Sequence, residues 1–452
     1  MKNKLVKGII GNGLAQVTLK VIRVLEQLLL IPFFLTAWGA AYYGEWVTLS
    51  IIPTVLAFSN FGFGTAAGNS FVLAYLSGDK QKAANVNKSG ILVVLCSIIF
   101  GAIITTIVLF IVDSFDLFDN SLIPATEAII AVGLLMIGRL IAFYRQLIEG
   151  YFRATRRAAL GNFIYSGYFA ANLLIGFFVL CFGGRVISYA FSLFIISVLF
   201  TLIYFFIGRR LINLNGCKGK LTLLDVKQIT SKGLGYMMEL VWQSIYFQGT
   251  TMVVRLTLGN ESVAAFNTMR TACRSVSQIF NVVNGSVFPE LQYAYGKGNL
   301  NAVHRLFRLS ILTSMFIGVI GTLLLFLFGM DIYNLWTQGK LSVSNDIWNT
   351  IILGVLFNSV WWTGIVAYSV TNKPYKLALV STITACLSVC TSYSLSFNFG
   401  LLGIVIGVVL FDFIMMFYVL PGSCSLLGMK VIDIFRNIKE DYSLLRYKCK
   451  RI

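Results

Sequence analysis

Charge is scarce in this sequence. Asp, Glu, Lys and Arg make up 12% of its 452 residues, where a soluble domain carries about 25%. Hydrophobic residues reach 57% and the mean hydropathy is +0.81, which excludes an ordinary water-soluble globule of this length. Histidine is almost missing: His304 is the only one, and it is expected in a loop. No Ser, His and Asp set for nucleophilic catalysis can therefore form. Clustered metal ligands are lacking too. The eight cysteines are scattered without a C-x-x-C pair, so zinc would find no ligand group, and the thiols read as small apolar residues. No metal or other cofactor is expected, and the chain is not expected to be an enzyme. Long outward connections are also missing, which leaves no room for an external catalytic domain.

What fills the chain instead is a series of apolar runs, each about the 20 residues that a helix needs to cross a bilayer. Twelve spans are expected, at about 14–36, 44–73, 89–112, 127–149, 158–181, 186–208, 233–257, 263–289, 309–330, 347–371, 375–397 and 400–421. Lys2, Lys4 and Lys7 resemble the basic start of a signal peptide. Lys20, Arg23 and Glu26 interrupt the stretch that follows, so the first helix is expected to be retained. The fold class is all-α and polytopic, with a six-helix bundle over 1–208, a basic connection over 209–232, a second bundle over 233–421 and a basic tail over 422–452.

The net charge of +18 would suggest nucleic acid in a soluble protein. Here the topology explains it. Twenty-seven of the 36 Lys and Arg fall in the tails and one set of connections, and only Arg185 and Lys340 fall in the other set. By the positive-inside rule both termini face the cytoplasm, and no nucleic-acid partner is needed. The tail mixes Leu, Ile and Phe with basic residues and reads as a helix lying on anionic lipid.

The halves look like a repeat. Ala74-Tyr75 with Gly78-Asp79 after the second span matches Ala294-Tyr295 with Gly298-Asn299 after the eighth. Ala40-Ala41-Tyr42 aligns loosely with Ala264-Ala265-Phe266. Six spans per half make the repeat parallel. Gly64 and Gly68 read as close helix packing rather than a nucleotide loop, and Pro53 as a kink in the second span.

Seven cations remain inside spans: Lys20, Arg23, Arg139, Arg145, Arg255, Arg270 and Arg274, against the span acids Glu26, Glu149, Glu239 and Asp412. Buried charge is costly unless it faces water, a partner or a ligand. Asn12, Gln16, Lys20, Arg23 and Gln27 share one helical face, as do Asn267, Arg270, Arg274, Gln278 and Asn281, and Tyr236, Glu239, Gln243, Tyr246 and Thr250. Such stripes suit a polar lumen. Arg145 either pairs with Glu149 at i, i+4 or snorkels to the interface. Arg270 and Arg274 have no acid beside them on their own helix. The surplus of cations predicts a basic lumen suited to an anionic substrate, because Arg presents paired donors to phosphate oxygens.

Tyr43-Gly44-Glu45-Trp46 with Leu49, Phe61-Gly62-Phe63-Gly64, Val263-Ala264-Ala265-Phe266 and Phe288-Pro289-Glu290, together with the repeated loop motif, resemble the Wzx-type polysaccharide flippases of the multidrug/oligosaccharidyl-lipid/polysaccharide exporter superfamily. Asn60 stands where relatives often carry Asp. The resemblance implies two bundles around a cationic lumen. It implies translocation of an undecaprenyl-pyrophosphate-linked oligosaccharide, an O-antigen or capsule repeat unit, across a bacterial inner membrane by alternating access. It would also bring contact with the polysaccharide polymerase machinery. Lys20, Arg23, Arg139, Arg270 and Arg274 would hold the pyrophosphate or acidic sugars. Gln16, Gln27, Gln243, Gln278 and Asn281 would line the lumen. Glu26, Glu239 and Asp412 would be sites for proton or sodium coupling. A cation-coupled drug or metabolite antiporter, a lipid II flippase and a polysaccharide polymerase or ligase are the competing readings.

Overall fold

Three glycines break what would otherwise be continuous helices. Gly39 (φ 73°, ψ 165°), Gly259 (φ 83°, ψ 179°) and Gly400 (φ 56°, ψ −133°) interrupt helices α1 (Lys2–Ile51), α8 (Thr250–Gly296) and α11 (Tyr375–Leu426). Side chains other than hydrogen are strained in all three conformations, so each glycine marks the turn between adjoining spans. The structure, a computed structural model, describes residues 2–53, 61–114, 122–214, 216–337 and 343–436, apart from some side chains within helices.

The remaining elements are α2 (Phe63–Leu76), α3 (Lys80–Ser114), α4 (Ala125–Ala154), α5 (Ala158–Cys181), α6 (Val186–Leu211), α7 (Leu223–Ser244), α9 (Leu300–Thr337), α10 (Asn345–Val370) and α12 (Asp433–Arg436). Counting each broken helix as two spans, α2 as the end of the second, and α7 as continuous with the first half of α8 gives twelve transmembrane helices in two bundles. Among the described residues, seven helices are long and apolar enough to cross a membrane. Their outward faces carry exposed Ile99, Phe110, Leu199, Phe316 and Leu327, as lipid contact requires.

The chain divides into two compact units, Met1–Met237 and Met238–Ile452, with the division inside α7. Unit 1 packs Phe34, Trp46, Leu49, Met136, Leu140 and Tyr189 around the start of α4. Gly64 and Gly68 of α2 lie against α4: a Cβ would fall 2.7 Å from the Phe143 carbonyl oxygen at Gly64 and 2.8 Å from that of Gln146 at Gly68. Close packing by small residues is what these positions do. Unit 2 is built on large aromatics, with Trp348, Trp361, Phe266, Phe280 and Phe411 at most 1% exposed.

The local structure repeats at an offset of 220. Gly39 and Gly259 share one conformation. Gly78 and Gly298 both have positive φ. Asp79 Oδ1 accepts from the Lys82 amide at 2.8 Å, and Asn299 Oδ1 from the Ala302 amide at 3.1 Å, capping α3 and α9 alike. The upstream match of Ala40 to Ala264 is corrected by one helical turn: on this offset Trp46 pairs with Phe266, both buried.

Other expectations shift. Pro53 falls at the end of α1 in a short 3₁₀ stretch, and 54–60 lie outside the described residues. The helix of the seventh span starts at Leu223 rather than 233. His304 belongs to α9, not a loop, and its Nε2 lies 2.7 Å from the Leu427 carbonyl. Arg153 and Arg308, expected in connections, are 4% and 8% exposed. Of the tail, 437–452 lie outside the described residues.

Candidate functional site

Helix α8 sets one wall of a cavity in unit 2. Phe266, Met269, Cys273, Val276 and Phe280 recur at three- and four-residue steps and are all buried. That spacing leaves Asn267, Arg270, Arg274, Gln278 and Asn281 on another face. A cavity of about 260 Å³ opens beside them, closed by Glu239, Trp242 and Gln243 from α7, Tyr246 just beyond its end, Asn358, Trp361 and Trp362 from α10, and Phe411 and Asp412 from α11. Seven of the site residues singled out by sequence therefore share it: Arg270, Arg274, Gln243, Gln278, Asn281, Glu239 and Asp412.

Between α7 and α8 the chain makes a π-helical turn, Ile245–Gly249. Such a turn displaces backbone carbonyls from the i→i−4 ladder. The Phe247 carbonyl accepts from Arg270 Nη1 at 3.0 Å and from Thr251 Oγ1 at 2.8 Å. Arg270 also donates to Thr250 Oγ1 (3.3 Å), Thr251 Oγ1 (3.0 Å) and Asn267 Oδ1 (2.7 Å). Its donors are largely committed to the protein. Arg274 differs. Its guanidinium lies 4.4 Å from the centroid of the Phe247 ring, a cation–π contact that leaves its N–H groups available to the cavity.

Asp412 is 8% exposed. Its Oδ1 accepts from Trp361 Nε1 at 2.9 Å and Asn358 Nδ2 at 3.2 Å. The Tyr246 hydroxyl lies between this carboxylate and the Val408 carbonyl, 3.3 Å from the latter. Asn358 Oδ1 accepts in turn from Ser277 Oγ at 3.1 Å, and Trp362 Nε1 donates to Asn281 Oδ1 at 2.8 Å. The chain Ser277–Asn358–Asp412–Trp361 thus ties α8, α10 and α11 together. Asp412 is held by neutral donors, unlike Glu149, which pairs with Arg153. The expected surplus of cations is not a property of this cavity: its lining holds Arg270 and Arg274 with Glu239 and Asp412, two against two.

The other predicted residues belong to unit 1. On α1, Gln16, Lys20 and Glu26 are half-buried. Arg23 is exposed, with its guanidinium 4.3 Å from the Phe169 centroid. The Gln27 side chain lies outside the described residues. Arg139 is exposed on α4. Arg145 neither pairs with Glu149 nor snorkels. It is 5% exposed, with Nε donating to Thr201 Oγ1 at 2.7 Å and Nη2 to the Ser197 carbonyl at 3.0 Å. Glu149 pairs with Arg153 at 3.5 Å instead. Sequence reasoning missed Asn358, Trp361 and Phe247. A polar residue beside paired tryptophans in an apolar span was the available signal.

Solved structures align over nearly the whole chain. A multidrug resistance MATE family transporter of the MOP superfamily, in an outward-facing conformation, matches at TM-score 0.72 and 17% identity, covering 93% of this chain and 96% of that one. The fold is that of the MATE transporters. A MATE transporter in a bent conformation gives TM-score 0.76 at 16% identity, with 99% and 97% covered. A MOP superfamily transporter from Pyrococcus furiosus Vc1 gives 0.66 at 18%, with 94% and 96% covered, and is described as having a binding pocket of reverse polarity that suggests a different function. No family profile and no curated protein matches the sequence.

Proposed function

We propose that this protein is a multi-pass membrane exporter of the multidrug antiporter kind, moving an amphipathic substrate by alternating access in exchange for a proton or sodium ion. The observation that carries this reading is Asp412, buried in a cavity wall and hydrogen-bonded only by neutral donors. A carboxylate so placed is costly as a bare anion, and binding a cation relieves that cost. Trp242, Phe247, Trp361 and Phe411 supply apolar contact for the substrate, and Arg274 supplies a charge for an acidic group on it. The MATE fold supports this reading over its rivals. The Lys and Arg asymmetry supports a bacterial cytoplasmic membrane with both termini inside.

Vesicles containing the purified protein test it. An imposed proton or sodium gradient should drive substrate movement, and Asp412→Asn should abolish the gradient dependence. Transport indifferent to both gradients sinks the reading.

A second reading, flipping of a pyrophosphate-linked oligosaccharide, rests on Arg274 with its N–H groups open to the cavity. Deletion of the gene should then accumulate lipid-linked saccharide on the cytoplasmic leaflet. Unchanged surface polysaccharide rules it out.

A further inference from the structure

A second cavity, of about 250 Å³, lies in unit 1 where the end of α2, the first turns of α3 and the first turns of α7 meet. Lys82 and Lys232 line it with Ser70, Ser77, Gln228 and Asp225. None of the transport residues discussed above contributes to it. We infer that it is a binding site for the phosphodiester headgroup of an anionic phospholipid, with Lys82 and Lys232 as the charged ligands and Leu221, Leu223 and Leu224 as the apolar rim.

The argument begins with the segment between α6 and α7, which is strapped onto α3. Gln81 Nε2 donates to the Lys218 carbonyl at 2.9 Å, and Asn85 Oδ1 accepts from the Lys220 amide at 2.8 Å. Tyr75 at the end of α2 adds another tie, its hydroxyl accepting from the Asn213 amide at 3.2 Å. The strap runs along Gln81, Asn85 and Lys88, so Lys218 and Lys220 join the same end of α3 as Lys80, Lys82 and Lys88, and α7 adds Lys227 and Lys232. The acids nearby are fewer and engaged in caps: Asp79 accepts from the Lys82 amide, and Asp225 accepts from the Thr222 hydroxyl. A local excess of positive charge around a cavity fits an anion.

Exposed leucines decide which kind of anion. Leu223 is 89% exposed, Leu224 67% and Leu221 52%, in the same short stretch as Lys218, Lys220 and Lys227. Leucines so exposed are unfavourable in water and favourable at the boundary of a bilayer, where lysines meet headgroups and apolar side chains meet acyl chains. Helix α3 continues beyond the strap into a lipid-facing surface, with Leu92, Leu95 and Ile99 exposed, so the strap and its leucines stand where polar and apolar surfaces join. A free phosphate would use the lysines and leave the leucines unexplained.

The full-length protein, purified in neutral detergent, tests this with dioctanoyl phosphatidylglycerol, dioctanoyl phosphatidylcholine and inorganic phosphate, binding being counted by native mass spectrometry. The wild type should bind phosphatidylglycerol at least tenfold more tightly than either of the others. Lys82→Ala/Lys232→Ala should lose that tenfold preference, and Leu223→Ser/Leu224→Ser should weaken phosphatidylglycerol binding several-fold. Should the lysine variant fold poorly, Asp225→Asn gives an independent reading, because removing this negative charge should tighten phosphatidylglycerol binding. Equal affinity for the two lipids, or unchanged binding in both the lysine and Asp225 variants, overturns the assignment. Inorganic phosphate binding as tightly as the lipid also overturns it, in favour of a site for soluble phosphoanions.

Discussion

Arg270 Nη1 donates to the Phe247 carbonyl at 3.0 Å, and Phe247 lies in the π-helical turn between α7 and α8. One turn along α8, Arg274 covers the ring of the same Phe247. One residue thus anchors both arginines: its ring lies under both guanidinium groups, 5.4 Å from Arg270 and 4.4 Å from Arg274, and its carbonyl also accepts from Arg270, so their roles separate by that hydrogen bonding. Arg270→Ala leaves the Phe247 carbonyl, Thr250, Thr251 and Asn267 without their shared donor. It should destabilise the protein by about 2–4 kcal/mol, seen as a lower unfolding temperature in detergent. Arg274→Ala loses a cation–π contact and should cost under ~1 kcal/mol, yet transport of an acidic substrate into vesicles should fall at least tenfold.

Asp412→Asn should keep the fold. The Asn carbonyl oxygen can still accept from Trp361 and Asn358, and the change removes charge without removing volume. The unfolding temperature should stay the same or rise, since a buried charge is lost. Gradient-driven transport should vanish while equilibrium exchange of substrate persists. Loss of both would show that Asp412 binds substrate rather than a coupling ion.

Gly39→Ala and Gly259→Ala should behave alike. Both glycines have backbone angles suited to glycine alone, and a Cβ at either would meet nothing within 4 Å. The cost is therefore backbone strain, about 1–3 kcal/mol at each. Thermal unfolding of the two single variants checks this. A cost confined to one of them would show that the two turns are not equivalent.

In α4, the contacts of Arg145 and of Glu149 should differ in weight. Arg145 is buried, hydrogen-bonded to Ser197 and Thr201 and stacked 4.5 Å from the Tyr168 centroid. Arg145→Ala should destabilise by about 2–4 kcal/mol. Glu149→Gln breaks a 3.5 Å pair whose acid side chain is 51% exposed and should cost under ~1 kcal/mol. Denaturation of the two variants side by side separates the cases.

Much of the fold was legible in the sequence because a bilayer leaves few choices. Backbone polar groups in lipid must be satisfied within each segment, so an apolar run of sufficient length becomes a helix. The fifth span coincides with α5, Ala158–Cys181, and the tenth nearly with α10, Asn345–Val370. The repeat was legible where backbone chemistry constrains residue type, at Gly78-Asp79 and Gly298-Asn299. It slipped by a turn at Ala40 and Ala264, where alanines carry no such constraint.

The polar stripe of α8 was legible too, because helical periodicity alone sorts Arg270 and Arg274 from Phe266 and Cys273. Which charges share one cavity was not. The two carboxylates beside those arginines come from α7 and α11, and Asp412 lies 138 residues beyond Arg274 in the chain. The same holds for Arg145, whose apparent partner four residues away lost to Ser197 and Thr201 on α6. The sequence by itself determined that this protein is a set of membrane helices, where they turn, and which of their faces are polar, since those depend on local hydropathy and periodicity. Only the tertiary structure decided that the unit 2 cavity is balanced in charge, that Arg270 is committed while Arg274 is available, and that Asp412 is buried among neutral donors. Those outcomes depend on side chains from separate helices competing for the same hydrogen bonds.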